Sequence, residues 1–418
     1  MLIEFSNVET LGLAAVFLVF GHFIKNRIPL LERYFIPAPI IGGLLFSILM
    51  LIGHQTQVFE LVLNDDMRDL LLMLFFTTIG FTASLEMLKK GGIAVAVFLL
   101  ACTILVLIQN IVGVGLATVL GTNPLIGLAV GSVSLTGGHG TSAAFGPLFE
   151  EYGAVGALPA AIAAATWGLV AGSIIGGPVG WRLLRRYQLK GPAHEAEGAK
   201  GQELAQSGTI AQGLGEDRQI GSQSHKDDAQ DGRQLPVSTL SMVLLFIAAG
   251  LGGALLKWVQ QYGVTVPAYL GAMIIAALIR NLYDWRRGDF PVAEMNTISM
   301  VSLSFFLVLA LMSMRLWELA HVFGPVLIIL IVQTIIVFFF AYFVTFRMMG
   351  KDYDAATLAV GHCGVGLGAT PNAMANIQSF TKANGPSPKA FFVIPIVGSL
   401  FIDFINAIVI TVFINIFA

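Results

Sequence analysis

Charge is scarce in this chain. Asp, Glu, Lys and Arg make up 11% of its 418 residues, against about 25% in an average soluble protein, and so low a share excludes an ordinary soluble enzyme. Neither sign dominates: 23 basic residues face 25 acidic ones, a net charge of −2, which leaves no basic excess for nucleic acid. Cysteine is nearly absent. Cys102 and Cys363 stand alone in apolar or glycine-rich surroundings without CxxC spacing, so neither a disulfide framework nor a cysteine metal cluster is expected, and both read as buried thiols. His139 and His362 lack the second His, Cys or carboxylate at helical spacing that zinc requires. With no HExxH sequence and no paired nucleophile and base, nothing supports a membrane-embedded hydrolase, and no symmetric pore-lining pattern supports a channel. Missing too is the basic n-region of a signal peptide. The first apolar stretch follows Glu4 and Glu9, has no clear small-residue cleavage site and reads as a retained span.

What fills the chain instead is apolar, at 56%. A helix crossing hydrocarbon needs roughly 20 mainly apolar residues, because every backbone polar group must find its partner within the segment. Ten stretches meet this requirement, near 8–24, 38–53, 68–84, 92–119, 158–180, 238–259, 266–282, 298–314, 323–346 and 391–416. Two more, 125–150 and 355–380, are apolar but interrupted by Gly, Thr, His and Pro, and are expected to be re-entrant hairpins. With the first residue placed outside, twenty of the 23 basic residues fall in inner loops, and only Arg68, Lys257 and Arg315 fall outside. The positive-inside rule thus selects extracytoplasmic termini in an inner membrane. Between the halves, residues 187–236 turn polar with no apolar period and read as a flexible cytoplasmic linker.

A shift of 230 residues superposes Phe75-Phe76 on Phe305-Phe306, Leu128-Ala129-Val130-Gly131 on Leu358-Ala359-Val360-Gly361, and Gly138 on Gly368. Segments 1–186 and 237–418 therefore read as diverged copies, each with five spans and one hairpin. An odd number of spans makes the second copy enter the membrane inverted. The expected fold is an all-α polytopic membrane protein built of two inverted repeats, an architecture of secondary transporters.

The hairpins concentrate helix breakers at membrane depth: Ser134-Leu135-Thr136-Gly137-Gly138-His139-Gly140-Thr141-Ser142 in the first, and Gly361 to Asn372 in the second. Non-helical backbone survives there only where protein or a water-filled cavity satisfies it, which marks a ligand path. Free N–H groups at a helix start attract carboxylates, whereas freed carbonyls and Ser, Thr or Asn oxygens suit sodium. Thr136, Gly137, Gly138, His139, Gly140, Thr141, Ser142, Gly368, Thr370, Pro371 and Asn372 are therefore candidate contacts for an anionic substrate, with Pro371 suited to a first helical turn. Ser134, Thr136, Gly366, Asn376 and Asn406 are candidate sodium donors. Asp403, an ionisable residue inside the last span, is functional by default and is a candidate for both substrate ammonium and sodium. Structural hydrogen bonding is the expected role of His139 and His362. Gln109, Asn110 and Thr166 either line the site or bond between helices.

Three strings, Gly137-Gly138-His139-Gly140-Thr141, Met348 to Ala356, and Gly361-His362-Cys363-Gly364 continuing through Gly368-Ala369-Thr370-Pro371, resemble the bacterial sodium/glutamate symporter family. The resemblance covers the chain apart from its linker. It implies uptake of L-glutamate with sodium as the coupling ion and no cofactor, ten spans with two re-entrant loops, both termini outside, and a homodimer whose transport domains move against a scaffold. The chain departs from the family pattern in having Ser142 for Gly, Phe145 for Trp and Asn372 for Thr. Position 372 keeps a side-chain oxygen. A sodium- or proton-coupled carrier of another organic anion, such as a di- or tricarboxylate, is the alternative.

Overall fold

The computed structural model describes residues 2–33, 36–57, 60–189, 191, 236–261, 267–286 and 290–417. The expected linker lies almost entirely outside the described residues. Apart from a short parallel ribbon of β1 (Leu2–Glu4) and β2 (Glu60–Val62), absent from the sequence reading, the described chain is helical. The first half contains α1 (Asn7–Arg27), α2 (Pro29–Arg33), α3 (Ala38–Thr56), α4 (Asp66–Thr82) and α5 (Leu85–Val119), then the short α6 (Pro124–Ala129) and α7 (Ser132–Leu135), then α8 (Gly138–Glu151) and α9 (Ala157–Tyr187). The second half contains α10 (Val237–Gln260), α11 (Ala268–Trp285), α12 (Val292–Met312), α13 (Leu319–Phe339), α14 (Tyr353–Leu367), α15 (Thr370–Asn384), α16 (Pro388–Ile396) and α17 (Ile402–Phe417). A π-helical stretch, Phe340–Thr345, extends α13, and another, Val397–Phe401, joins α16 to α17.

Local chemistry sets the helix ends. Ser6 and Glu9 form a capping box at α1, with Lys25 and Arg27 in its last turn complementing the helix dipole. Gly92, at φ 62°, breaks α5, so its apolar part begins where the hydropathy does. The family string near 350 is explained by a turn: Gly350 (φ 115°) and Lys351 (φ 60°) reverse the chain, and Asp352 then caps α14 by accepting from the Ala355 N–H at 2.7 Å.

Among the described residues, eight helices are long and apolar enough to cross a membrane. The other two expected spans, α4 and α11, have 17 and 18 residues. Each carries charge at one end, Asp66, Arg68 and Asp69 in α4, Arg280 and Asp284 in α11. They pack against each other, α4 also against α12 and α11 also against α10, so neighbours cover what hydropathy alone would leave short.

The helices sort into two groups by contact, α1, α3, α4, α10, α11 and α12 in one, α5 to α9 and α13 to α17 in the other. Each group takes equivalent elements from both halves. Ser313 donates to Asp65 at 3.0 Å, and the Gly156 turn packs on Glu318, which gathers one end of the bundle around Arg68 and Arg315. The opposite end is tied by the Leu85 N–H to Asn281 at 2.8 Å and by a short bond from Ser84 to Asp284. Helix α9 has 31 residues, about 46 Å of rise, and runs from the first end to the second, where Gly191 lies against Asn384. The base of the α6–α8 segment therefore sits at one end and the base of the α14–α15 hairpin at the other.

On α9 a row of glycines at four-residue spacing faces that second hairpin. A Cβ on Gly168 would overlap the Leu367 carbonyl oxygen; on Gly172 it would lie 3.0 Å from the Cys363 carbonyl, and on Gly176 2.8 Å from the Asn376 amide nitrogen. Close backbone approach replaces the hydrophobic drive that helices lack in lipid. Gly177, one residue round the helix, meets nothing within 4 Å. Gly168→Ala is expected to destabilise by about 1–3 kcal/mol through overpacking, while Gly177→Ala leaves stability unchanged or raised. Thermal unfolding of the two purified variants in detergent checks this, and equal melting temperatures would refute the packing.

Candidate functional site

Both broken segments bury their limbs and leave their tips accessible. Residues 131–136 and 361–368 are buried, Gly137, Gly138, Ala369 and Thr370 are half-buried, and Pro371 is exposed. The tips meet: a Cβ on Gly138 would stand 3.2 Å from the Gly368 carbonyl oxygen, and Gly138 itself has φ 65°. That left-handed backbone and the close approach both favour glycine. Helices α8 and α15 begin at these tips without side-chain caps, so their first N–H groups are left to other acceptors. Pro371 occupies the first turn of α15 as the sequence indicates.

Side chains hold the first segment. Asn406 of α17 donates to the Ser132 carbonyl at 3.1 Å and accepts from the Ser132 hydroxyl at 2.7 Å, while Asn110 of α5 accepts from the Ser132 N–H at 3.1 Å. Ser134 donates to the Ala129 carbonyl. The Ser142 hydroxyl lies 2.7 Å from the Gly138 carbonyl and 3.0 Å from the Ser134 hydroxyl. His139 and Thr166 share a 3.0 Å hydrogen bond. The second hairpin is held from α9. Asn372 donates to the Leu169 carbonyl at 3.1 Å and accepts from Ser173 at 2.6 Å, and Asn376 donates to the Gly172 carbonyl at 3.0 Å. His362 bonds Thr345, in the π-helical stretch, at 2.7 Å.

These contacts resolve what the sequence left open. Gln109, Asn110 and Thr166 bond between elements. Thr166 also borders an apolar cleft of about 270 Å3 lined by Ile24, Ile40 and Leu44, at the seam between the helix groups. Asn372 engages both ends of its amide with α9, and Asn406 both ends of its own with Ser132. Thr370 lies at the last span, close enough that a Cβ on Gly398 would be 2.5 Å from its hydroxyl. Thr141 is a buried residue of the first turn of α8. Asp403 opens α17 immediately after the π-helical stretch that follows Pro395. It is half-buried, and no described residue hydrogen-bonds it or pairs with its charge. Ser132, Ser173, Gln333 and Thr345 escaped the sequence reading. Ser132 and Ser173 had a signal, since they lie 230 residues, the repeat offset, before His362 and Asp403. Among the described residues no three of His, Cys, Asp and Glu gather as metal ligands.

Comparison with known proteins fits this geometry. Residues 3–386 match the family model described as sodium/glutamate symporter. The sodium/glutamate symporter of Escherichia coli K12 is 39% identical over 412 residues, covering 97% of each chain. That of Shigella flexneri is equally similar, and that of Haemophilus influenzae is 38% identical over 417 residues, 96% of each. At this identity and coverage the chain belongs to the sodium/glutamate symporter family.

Proposed function

We propose that this protein is a secondary active transporter that carries L-glutamate with sodium by alternating access, in a bacterial inner membrane with both termini extracytoplasmic. The observation that carries the reading is the meeting of two uncapped tips, Gly138 and Gly368, whose segments are based at opposite ends of the bundle. Two re-entrant hairpins in inverted repeats have this form. The matching order of elements in the halves supports the repeat: three helices in the group of α1, α3, α4, α10, α11 and α12, then a long helix, a broken segment and a final long helix. α4 and α11 complete ten spans. On this reading the group α1, α3, α4, α10, α11 and α12 is the scaffold, and the rest moves. A homodimer, implied by the resemblance, belongs to the same reading, and exposed apolar side chains such as Phe20 and Phe246 offer surface to lipid or a second subunit.

The chemistry at the tips follows from which groups are free. With Ser134, Asn372 and Asn406 engaged by protein partners, the first-turn N–H groups of α8 (138–141) and of Thr370 and Asn372 in α15 remain to hold glutamate carboxylates, aided by the helix dipoles. Asp403 receives the ammonium or a sodium ion. The lone pairs left over on the Gly366 carbonyl and Thr136 hydroxyl, each already bonded once to Gln109, and the Oδ1 of Asn376, whose amide nitrogen is engaged, complete the set of sodium oxygens, and Gly137, Gly140 and Gly368 keep the backbone close to its cargo. Sodium binds first and fixes the hairpins; glutamate follows, and closure permits the crossing. Each elementary charge moved across 100 mV is worth about 2.3 kcal/mol, so two sodium ions with one glutamate anion draw on the membrane potential, whereas one sodium ion does not.

Proteoliposomes of the purified protein are expected to accumulate radiolabelled L-glutamate under an inward sodium gradient and not under matched potassium. Uptake driven equally by a pH gradient without sodium would move the coupling to protons, and no uptake under any gradient would refute the substrate. Asp403→Asn is expected to lower uptake kcat/KM by about 10- to 100-fold, the loss of one charge-assisted hydrogen bond of about 1.5–3 kcal/mol. Wild-type kinetics in that variant would remove Asp403 from the site.

A further inference from the structure

Gln109 is wholly buried in α5, and its one amide touches both hairpins. Its Nε2–H donates to the Gly366 carbonyl at 2.7 Å, and its Oε1 accepts from the Thr136 hydroxyl at 2.7 Å. Thr136 stands one residue before the Gly137-Gly138 tip and Gly366 two residues before Gly368. The Gly366 carbonyl belongs to the last turn of α14, where helical geometry leaves carbonyls without an intrahelical donor, so Gln109 supplies what the break removes. The helix is pinned at this point: Gln333 of α13 donates to the Gln109 carbonyl oxygen at 2.7 Å. Leu105, one turn earlier on α5, packs where a Cβ on Gly366 would stand, at 2.6 Å.

A carboxamide is the neutral side chain that offers a strong donor and a strong acceptor on opposite edges of one rigid plane. Placed between the limbs, it makes their positions interdependent. A shift of Thr136 turns the amide plane, and the turn changes the bond offered to Gly366. Gln333, which bonds only the main chain of α5, has no such reach toward both tips and serves to fix the pivot.

We propose that Gln109 is a positioning residue that couples the two hairpins, so that an ion ordering one tip sets the geometry of the substrate site at the other. The inference rests on the two-hairpin reading of sodium and glutamate binding given above. Coupling between two ligands is a free energy, measured as the factor by which one changes the affinity of the other.

The test is equilibrium binding of radiolabelled L-glutamate to the purified full-length protein over a sodium titration, with potassium as the replacement ion. The quantity read is the ratio of glutamate Kd without sodium to Kd at saturating sodium. In Gln109→Met, which keeps the volume and loses both bonds, this ratio falls at least tenfold while glutamate still binds at saturating sodium. Thr136→Val lowers it in the same direction, Thr136→Ser preserves it, and Gln109→Met with Thr136→Val together lowers it no further than Gln109→Met alone. An unchanged ratio in Gln109→Met, with both affinities weakened in parallel, would make the residue an ordinary strut and overturn the proposal. Should Gln109→Met fail to fold, a wild-type ratio in Thr136→Val overturns it equally. A wild-type protein whose glutamate affinity ignores sodium would remove the symport reading and this inference together, whereas a normal wild-type response with unchanged variants removes the inference alone.

Discussion

Everything in this fold answers one constraint: peptide groups freed from helices in an apolar layer must still be hydrogen-bonded. An unpaired backbone group in hydrocarbon costs several kcal/mol, and the structure contains two segments where helices stop and restart in its interior. The freed groups are met by side chains from neighbouring helices, chiefly amides. Gln109 bonds Gly366, Asn406 and Asn110 bond Ser132, and Asn372 and Asn376 turn outward to α9. Their placement follows a rule of exchange. The final long helix of the first half, α9, hydrogen-bonds the hairpin of the second half, and the final helix of the second half, α17, hydrogen-bonds the broken segment of the first. Neither half satisfies its own unwound backbone alone, which ties the halves into one unit.

Small residues and backbone irregularity serve the same end. The glycine row of α9 brings its carbonyls at Leu169 and Gly172 within reach of Asn372 and Asn376, which a bulkier face would hold away. The π-helical stretches fall where spans must present a particular side chain inward. One places Thr345 against His362, and the other precedes Asp403 and lets Gly398 approach Thr370. Such bulges concentrate at functional sites because they rotate a helix face without ending the helix.

Much of this was legible in the sequence because hydropathy and helix breakers are local signals. The helices occupy all ten predicted stretches, and the breaks fall at the predicted 125–150 and 355–380. The two weakest spans by composition, α4 and α11, are those whose burial depends on packing partners that no local window contains. The site divides in the same way. Glycine and proline at the tips could be read directly, since their conformational roles belong to the residue. The roles of Asn372 and Asn406 could not, because an amide's partners are distant: Asn406 bonds a residue 274 positions away and Asn372 one 199 away. For the same reason Gln109 was undecidable from its surroundings in α5. Its function lies in two residues, 27 and 257 positions distant.

The unequal treatment of polar residues in the core separates the working groups from those that hold them. Asn406 and Asp403 are three residues apart on one helix, yet Asn406 is wholly buried with both ends of its amide bonded, and Asp403 is half-buried without a described partner. A carboxylate left so in an apolar span is a standing cost that structural needs would have eliminated, because a hydrophobic residue of similar size would pack there without penalty. The neutral amides thus satisfy the broken backbone, and a charge retained without a partner is the feature on which the proposed cation site rests. On the proposed reading the uncapped starts of α8 and α15, whose dipoles favour anions, would take the carboxylates of a zwitterion and Asp403 its ammonium.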